Sequence, residues 1–287
     1  MSKDRLDKGC GKEEREEMTQ LIYGSNIANG IKIQYYCSGG EKPAVVFLHG
    51  ITEHGLAWVR FPHYIQPSYD VVLIDLRGHG LSDKPKSGYR AEQMAEDVYW
   101  VIKNLHLIQP VVIGHSMGAS VATAFAAMYH ESVGGLVLED PPWLDTVKTP
   151  EEKSISANKF LAFLSEFKAY SSSEIIEKAR QIYPDWDEVE YLQWSNGLKM
   201  VSPNSAQWIL EEQTPWQKWI NQIKKPGLLL TGDIKKGGLV TSDVAQRAQS
   251  LWKNLTVEHF PGAGHHIHRE QYIKYRDLVD SFLKKLL

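Results

Sequence analysis

The sequence predicts an α/β fold: a mostly parallel central sheet, helices on both faces and an inserted helical lid. Three observations predict it. Short apolar runs recur along the chain: AVVFLHG (44–50), DVVLIDLRGHG (70–80), PVVIGHS (110–116), GLVLEDPP (135–142), PGLLLTGD (226–233) and LTVEHFPGAGH (255–265). About five continuous apolar residues suit strands covered on both faces. Helical patterns lie between them, such as RAEQMAEDVYWVIKNL (90–105) and MGASVATAFAAMYH (117–130), and strand–helix alternation implies an open α/β sheet. One long interval, 143–222, holds no buried strand.

The elements follow in order. Residues 1–19 form a charged N-terminal tail, either mobile or helical near 13–18, and carry no apolar segment of a secretory signal. IKIQYYC (31–37) alternates like a half-exposed antiparallel strand. The core is expected to span 20–142 and 223–287. The interval 143–222 reads as amphipathic helices separated by YPDWD, SNG, VSPNS and QTPW, and it carries six of the nine tryptophans. Most of these aromatics should pack the lid itself. A lid must also show its substrate something apolar, so Trp143 and Trp58 are taken as substrate-binding candidates.

Bulk properties exclude several classes. A net charge of −3 gives no basic footprint for nucleic acid. No apolar run is long enough to span a membrane. Cys10 and Cys37 make neither a disulfide framework nor a metal knuckle, which fits a reducing cytoplasm. The expected partner is a small-molecule substrate.

The chemistry centres on VVIGHSMGASVA (111–122). A buried strand, then Gly-His-Ser-Met-Gly, then a helix is the G-x-S-x-G elbow. It pushes the Ser116 hydroxyl out at the sheet's top, with Gly114 and Gly118 leaving room for close backbone. A serine hydroxyl needs an adjacent base. His265 in FPGAGHHIHRE follows the last strand and lies at the same sheet edge. The neighbouring His266 and His268 complicate the choice of base, while the remaining histidines, such as His115 and His79, read as structural, with Asp75 and Arg77 bonding within the His79 turn. HHIH has no carboxylate or cysteine at ligand spacing, so no metal and no other cofactor is expected. Oxyanion donors are expected from the backbone N–H groups of Met117 and Ile51.

FLHGITEHG, DLRGHGLSDKP, GHSMG and PGAGHHIHRE, in this order and spacing, resemble the α/β-hydrolase superfamily from about residue 20 to the C-terminus. The chain is similar to its small lidded esterases, lactonases, cofactor-free haloperoxidases and dehalogenases. Haloalkane dehalogenases and epoxide hydrolases of this fold use aspartate where Ser116 stands, which argues against both activities. The resemblance implies a Ser-His-acid triad. The usual acid position falls on Lys235, with Asp233 nearby. A second arrangement in the superfamily, aligned on Gly135, puts the acid on Asp140, with Glu139 sent to the other face by the pleat. Asp140 is the preferred acid, and Asp233 and Glu139 are the alternatives. The activity implied is a serine hydrolase cleaving esters or lactones of small, mostly apolar substrates. Its rivals are a slow-turnover ligand sensor and a carbon–carbon bond hydrolase or eliminating synthase. The second rival would want a lid arginine, and the lid offers only Arg180.

Overall fold

A computed structural model describes residues 21–145 and 148–287. The charged tail and Cys10 lie outside them. Eight strands form one sheet: β1 (Ile22–Ala28), β2 (Ile31–Cys37), β3 (Ala44–Leu48), β4 (Asp70–Ile74), β5 (Val111–His115), β6 (Gly135–Glu139), β7 (Gly227–Gly232) and β8 (Leu255–Phe260). Their order is β1-β2-β4-β3-β5-β6-β7-β8, antiparallel at β1/β2 and β2/β4 and parallel elsewhere. The helices are α1 (Arg60–Ile65), α2 (Ala91–Asn104), α3 (Met117–Met128), α4 (Pro150–Ala169), α5 (Ser172–Ile182), α6 (Glu188–Met200), α7 (Gln207–Leu210), α8 (Trp216–Ile220), α9 (Ser242–Leu251), α10 (Ile267–Glu270) and α11 (Tyr272–Leu286).

The apolar runs sort by the strand's two-residue period. Val46, Leu48, Val112, Leu136 and Leu138 join a core with residues of α2, α3 and α9. Val45, Phe47, Val111, Ile113 and Val137 join another with Phe61, Tyr275 and Val279 of α1 and α11. Every residue of β3 to β7 is buried. Strands this dry place their carboxyl ends on a single edge, where the loops carrying functional groups converge. The edge strand β1 had no apolar run to announce it, because Ile22, Tyr23 and Ile27 are exposed.

Helices α4 to α8 lie between β6 and β7. Thr149 with Glu152 and Ser171 with Glu174 form capping boxes that start α4 and α5. Leu164, Phe167, Ile175, Trp186, Trp194 and Leu198 make the insertion's own core. Trp143 and Trp216 instead join the main core, stacked with centroids 5.1 Å apart. Helix α6 presses Gly197 onto the loop after β3. A Cβ there would stand 2.9 Å from the Thr52 carbonyl oxygen.

Candidate active site

Ser116 joins β5 directly to α3 with φ 52° and ψ −118°, a conformation that non-glycine residues seldom adopt. The turn is held by tight backbone packing. A Cβ on Gly118 would lie 2.2 Å from the Leu48 carbonyl oxygen, and one on Gly114 would lie 2.5 Å from that of Gly118. The strained turn therefore seats the start of α3 against the loop after β3.

The structure brings Ser116, His265 and Asp140 together. His265 Nε2 lies 2.9 Å from Ser116 Oγ, and His265 Nδ1 lies 2.6 Å from Asp140 Oδ2. Asp140 is fully buried and also accepts the backbone N–H groups of Leu239 and Val240 at 2.9–3.1 Å. A carboxylate surrounded by donors accepts the Nδ1–H hydrogen bond and keeps that proton on Nδ1, which leaves Nε2 free to accept from the serine hydroxyl. Asp140 itself has φ 42°, so the chain turns sharply as β6 ends.

The other acids stand elsewhere. Glu139 points to the opposite side and takes His268 Nδ1 at 2.8 Å and the His268 N–H at 3.0 Å. Asp233 accepts the Gly262 N–H at 2.7 Å and contacts His259 Nε2 at 3.1 Å. These bonds, the Gly262 one foremost, hold its carboxyl below the ordinary range.

The two expected oxyanion donors are the Met117 amide, next after the serine, and the Ile51 amide in the loop after β3. Met117 N–H opens α3, where no preceding helical carbonyl exists to receive it. The Gly50–Ile51 peptide is fixed from its oxygen side. His49 Nε2 accepts the Leu76 N–H at 3.0 Å, so His49 Nδ1–H donates to the Gly50 carbonyl at 2.8 Å. The Glu53 N–H adds a second bond to that carbonyl at 3.2 Å. A trans peptide then sends the Ile51 N–H the other way. Among the described residues neither Ile51 nor Met117 N–H has a hydrogen-bond acceptor outside its own helix or strand.

A cavity of about 470 Å³ runs beside α3. It is lined by Ser120 and Thr123, one and two turns past Ser116, and by Trp143, Trp208, Trp216 and Trp219. Trp143 thus belongs to the aromatic wall of this cavity beside α3. Trp58 does not, and that expectation is corrected. It packs between Phe47 and His268, with ring centroids 5.4 and 4.5 Å away, in the core on the other face of the sheet. The short helical turn that carries it (Gly55–Ala57) leads into α1, and α1 packs on that face. Of the bonding expected within the His79 turn, the Asp75 part is found, through Leu81, and the Arg77 part is corrected. Asp75 accepts the Gly55 and Leu81 N–H groups, while Arg77 pairs with Asp97 on α2 at 2.6 Å.

Sequence spacing missed a buried polar cluster beneath the serine. Ligand-capable atoms of Glu53, His115 and His266 lie within 4.8 Å of one another, so a carboxylate does stand beside these histidines, brought from a distant loop. Its charge is already answered. Glu53 Oε1 lies 2.7 Å from Arg269 Nη1, and Oε2 accepts the Gly50 N–H at 2.8 Å. Burial alone would raise the Glu53 carboxyl, but the Arg269 guanidinium holds it well below the usual range. Burial pushes His266 well below the ordinary imidazole value, and neighbouring His115 adds to this.

Residues 43–173 match the family model described as alpha/beta hydrolase fold. The 2-(acetamidomethylene)succinate hydrolase of Mesorhizobium japonicum is 25% identical over 79% of this chain and 83% of its own length. A thermophilic esterase from Thermogutta terrifontis superimposes with a TM-score of 0.74 at 21% identity, over 92% of this chain and 99% of that one. The enol-lactonase from Burkholderia xenovorans LB400 does so at 0.73 and 19% identity, over 91% and 100%. With its sheet order, its strained serine turn and this matched segment, the chain has the α/β-hydrolase fold.

Proposed function

We propose that the protein is a serine hydrolase that cleaves carboxylic esters or lactones through an acyl-enzyme. The observation that carries this reading is the unbroken hydrogen-bonded chain from Ser116 Oγ through His265 to Asp140. Ser116 Oγ attacks the carbonyl carbon while His265 Nε2 takes its proton. The Ile51 and Met117 N–H groups stabilise the oxyanion as it forms. His265 then gives the proton to the leaving alcohol oxygen and the acyl–serine ester remains. A water, deprotonated by His265, releases the acid. Asp140 holds the imidazole tautomer and favours the imidazolium of each transition state.

Helices α4 to α8 act as a lid over residues 143–222. Trp143 and the aromatic wall beside α3 accept a mostly apolar acyl or alcohol group of modest size. The succinate in the name of the Mesorhizobium relative raises a second reading, a hydrolase of dicarboxylated substrates. The arginines count against it. Arg180 pairs with Glu177 and Glu188, Arg247 with Asp145, and Arg269 with Glu53 and Glu190, so each already has a carboxylate partner.

Steady-state hydrolysis of acetyl to octanoyl p-nitrophenyl esters, several lactones and a succinate ester tests these readings, with Ser116→Ala as control. Turnover of the apolar esters that vanishes in Ser116→Ala is expected. Preference for the succinate ester would favour the second reading. One burst followed by a stalled adduct would indicate a sensor, and hydrolysis unchanged in Ser116→Ala would remove the serine from the mechanism.

A further inference from the structure

We infer that Glu53 and His115 are positioning residues, a buried strut that ties the oxyanion loop to the loop bearing His265. The inference rests on the serine hydrolase reading. His115 is the last residue of β5, directly before Ser116. Its Nε2 lies 3.0 Å from the His265 carbonyl oxygen. A carbonyl only accepts, so Nε2 carries a proton. Its Nδ1 faces Glu53 Oε2 at 3.4 Å. That same oxygen accepts the Gly50 N–H at 2.8 Å, next to the peptide that presents the Ile51 N–H.

One imidazole and one carboxylate therefore touch all three segments the chemistry uses. The far end is anchored as well. Glu53 Oε1 meets Arg269, four residues past His265, and Arg269 Nε donates to Glu190 Oε2 of α6 at 3.1 Å. His115, Glu53 and Arg269 are at most 2% exposed, so water cannot replace a lost partner, and an orphaned polar group would have to be relieved by moving the loops. The space is also closed. A Cβ on Gly50 would come within 3.0 Å of His115 Nδ1 and 3.1 Å of Glu53 Oε2. Burial works against a charged His115, but the Glu139 and Glu53 carboxylates outweigh it and raise its pKa, consistent with a proton on both ring nitrogens.

Neither side chain touches Ser116 Oγ, so their loss should misplace His265 and the Ile51 amide rather than remove a reacting group. The full-length protein is labelled with a fluorophosphonate, whose reaction needs the serine, its base and the oxyanion donors but no knowledge of the substrate. The variants are His115→Ala, His115→Gln, Glu53→Gln and His115→Ala with Glu53→Gln. Each is assayed about 20 °C below its own Tm, so that loss of folded protein does not enter the rate. Labelling should slow about tenfold to a hundredfold in His115→Ala and Glu53→Gln, the scale of a small misplacement of reacting groups. His115→Gln, which keeps an amide donor for the His265 carbonyl, should recover part of the rate. The double variant should be little slower than the slower single one, because the two act as one unit. On the best ester, kcat should fall with KM within about twofold.

Wild-type labelling rates in both His115→Gln and Glu53→Gln, whatever their Tm, would overturn the strut. So would losses that multiply in the double variant. Failure of the wild type itself to label would instead count against the serine hydrolase reading.

Discussion

Asp140–His265 and Glu139–His268 are two carboxylate–imidazole pairs built from the same two segments and facing opposite ways. The carboxylates are consecutive at the end of β6, and the pleat sends them apart. The contacts are alike in length, 2.6 Å and 2.8 Å, and both carboxylates are fully buried. What differs is the far side of each ring. His265 meets the Ser116 hydroxyl and its side chain is 22% exposed. The His268 side chain is 6% exposed and lies against Trp58 and Tyr275. A buried acid behind a histidine therefore does not make a reactive centre. The imidazole must also reach a nucleophile and a path for substrate.

The sharpest break in this comparison is at the nucleophile. Ser116→Ala should lower kcat on the best ester by about a millionfold, leaving only what binding and the oxyanion donors supply. Asp140→Asn should lower it by about ten-thousandfold, because the amide no longer holds the Nδ1–H tautomer. Near-wild-type turnover in Asp140→Asn would make the two pairs equivalent and end the assignment. Glu139→Gln should show the opposite pattern. Removing one member of a buried pair costs about 3–5 kcal/mol of stability, read by denaturant unfolding, while kcat of the folded variant stays within about threefold of the wild type.

The Glu139 pair also sets a pH dependence of stability. Burial would raise the Glu139 carboxyl, but His268 and then His115 outweigh it and its pKa is lowered. A lowered carboxyl pKa adds stability that is complete above the unfolded value of about 4.3 and is lost as pH falls through the folded value. The Tm difference between wild type and Glu139→Gln should therefore be constant at neutral pH and shrink as pH falls below about 4. A gap that widened with acid would reverse the sign and show that Glu139 is protonated in the folded state.

The two pairs also mark how far the sequence could be read. The strands of the sheet interior were legible because each is a continuous apolar run, and Ser116 because its glycines fit a turn where the backbone leaves no room for a Cβ. His265 and Asp140 could be found because both sit where a strand ends. Other features depend on contacts between remote segments. Glu53 reaches His115 across 62 positions and Arg269 reaches Glu190 across 79, and no local period records such pairings. Trp58 was misplaced for a related reason. An aromatic just after a loop motif has no sign that says which face of the sheet it will join. Arg77 looked bound within its own turn until α2 brought Asp97 beside it.

The smallest expected effect concerns Asp233, the acid nearest the position that the superfamily usually fills. Its carboxylate braces the loop before His265 from outside, through the Gly262 N–H and the half-exposed His259. Removing the charge leaves a side-chain oxygen that can still accept the Gly262 bond, and water can serve the rest. Asp233→Asn should therefore change kcat by less than about twofold. Asp233→Ala, which removes the acceptor altogether, should loosen the 261–264 loop and raise amide exchange at Gly262 before it affects turnover. A large kcat loss in Asp233→Asn would mean that the His265 loop is set from the β7 end. The buried bonds of Asp140 and His115 would then hold a ring that another residue aligns, and the asymmetry between the two carboxylate–imidazole pairs would need a different cause.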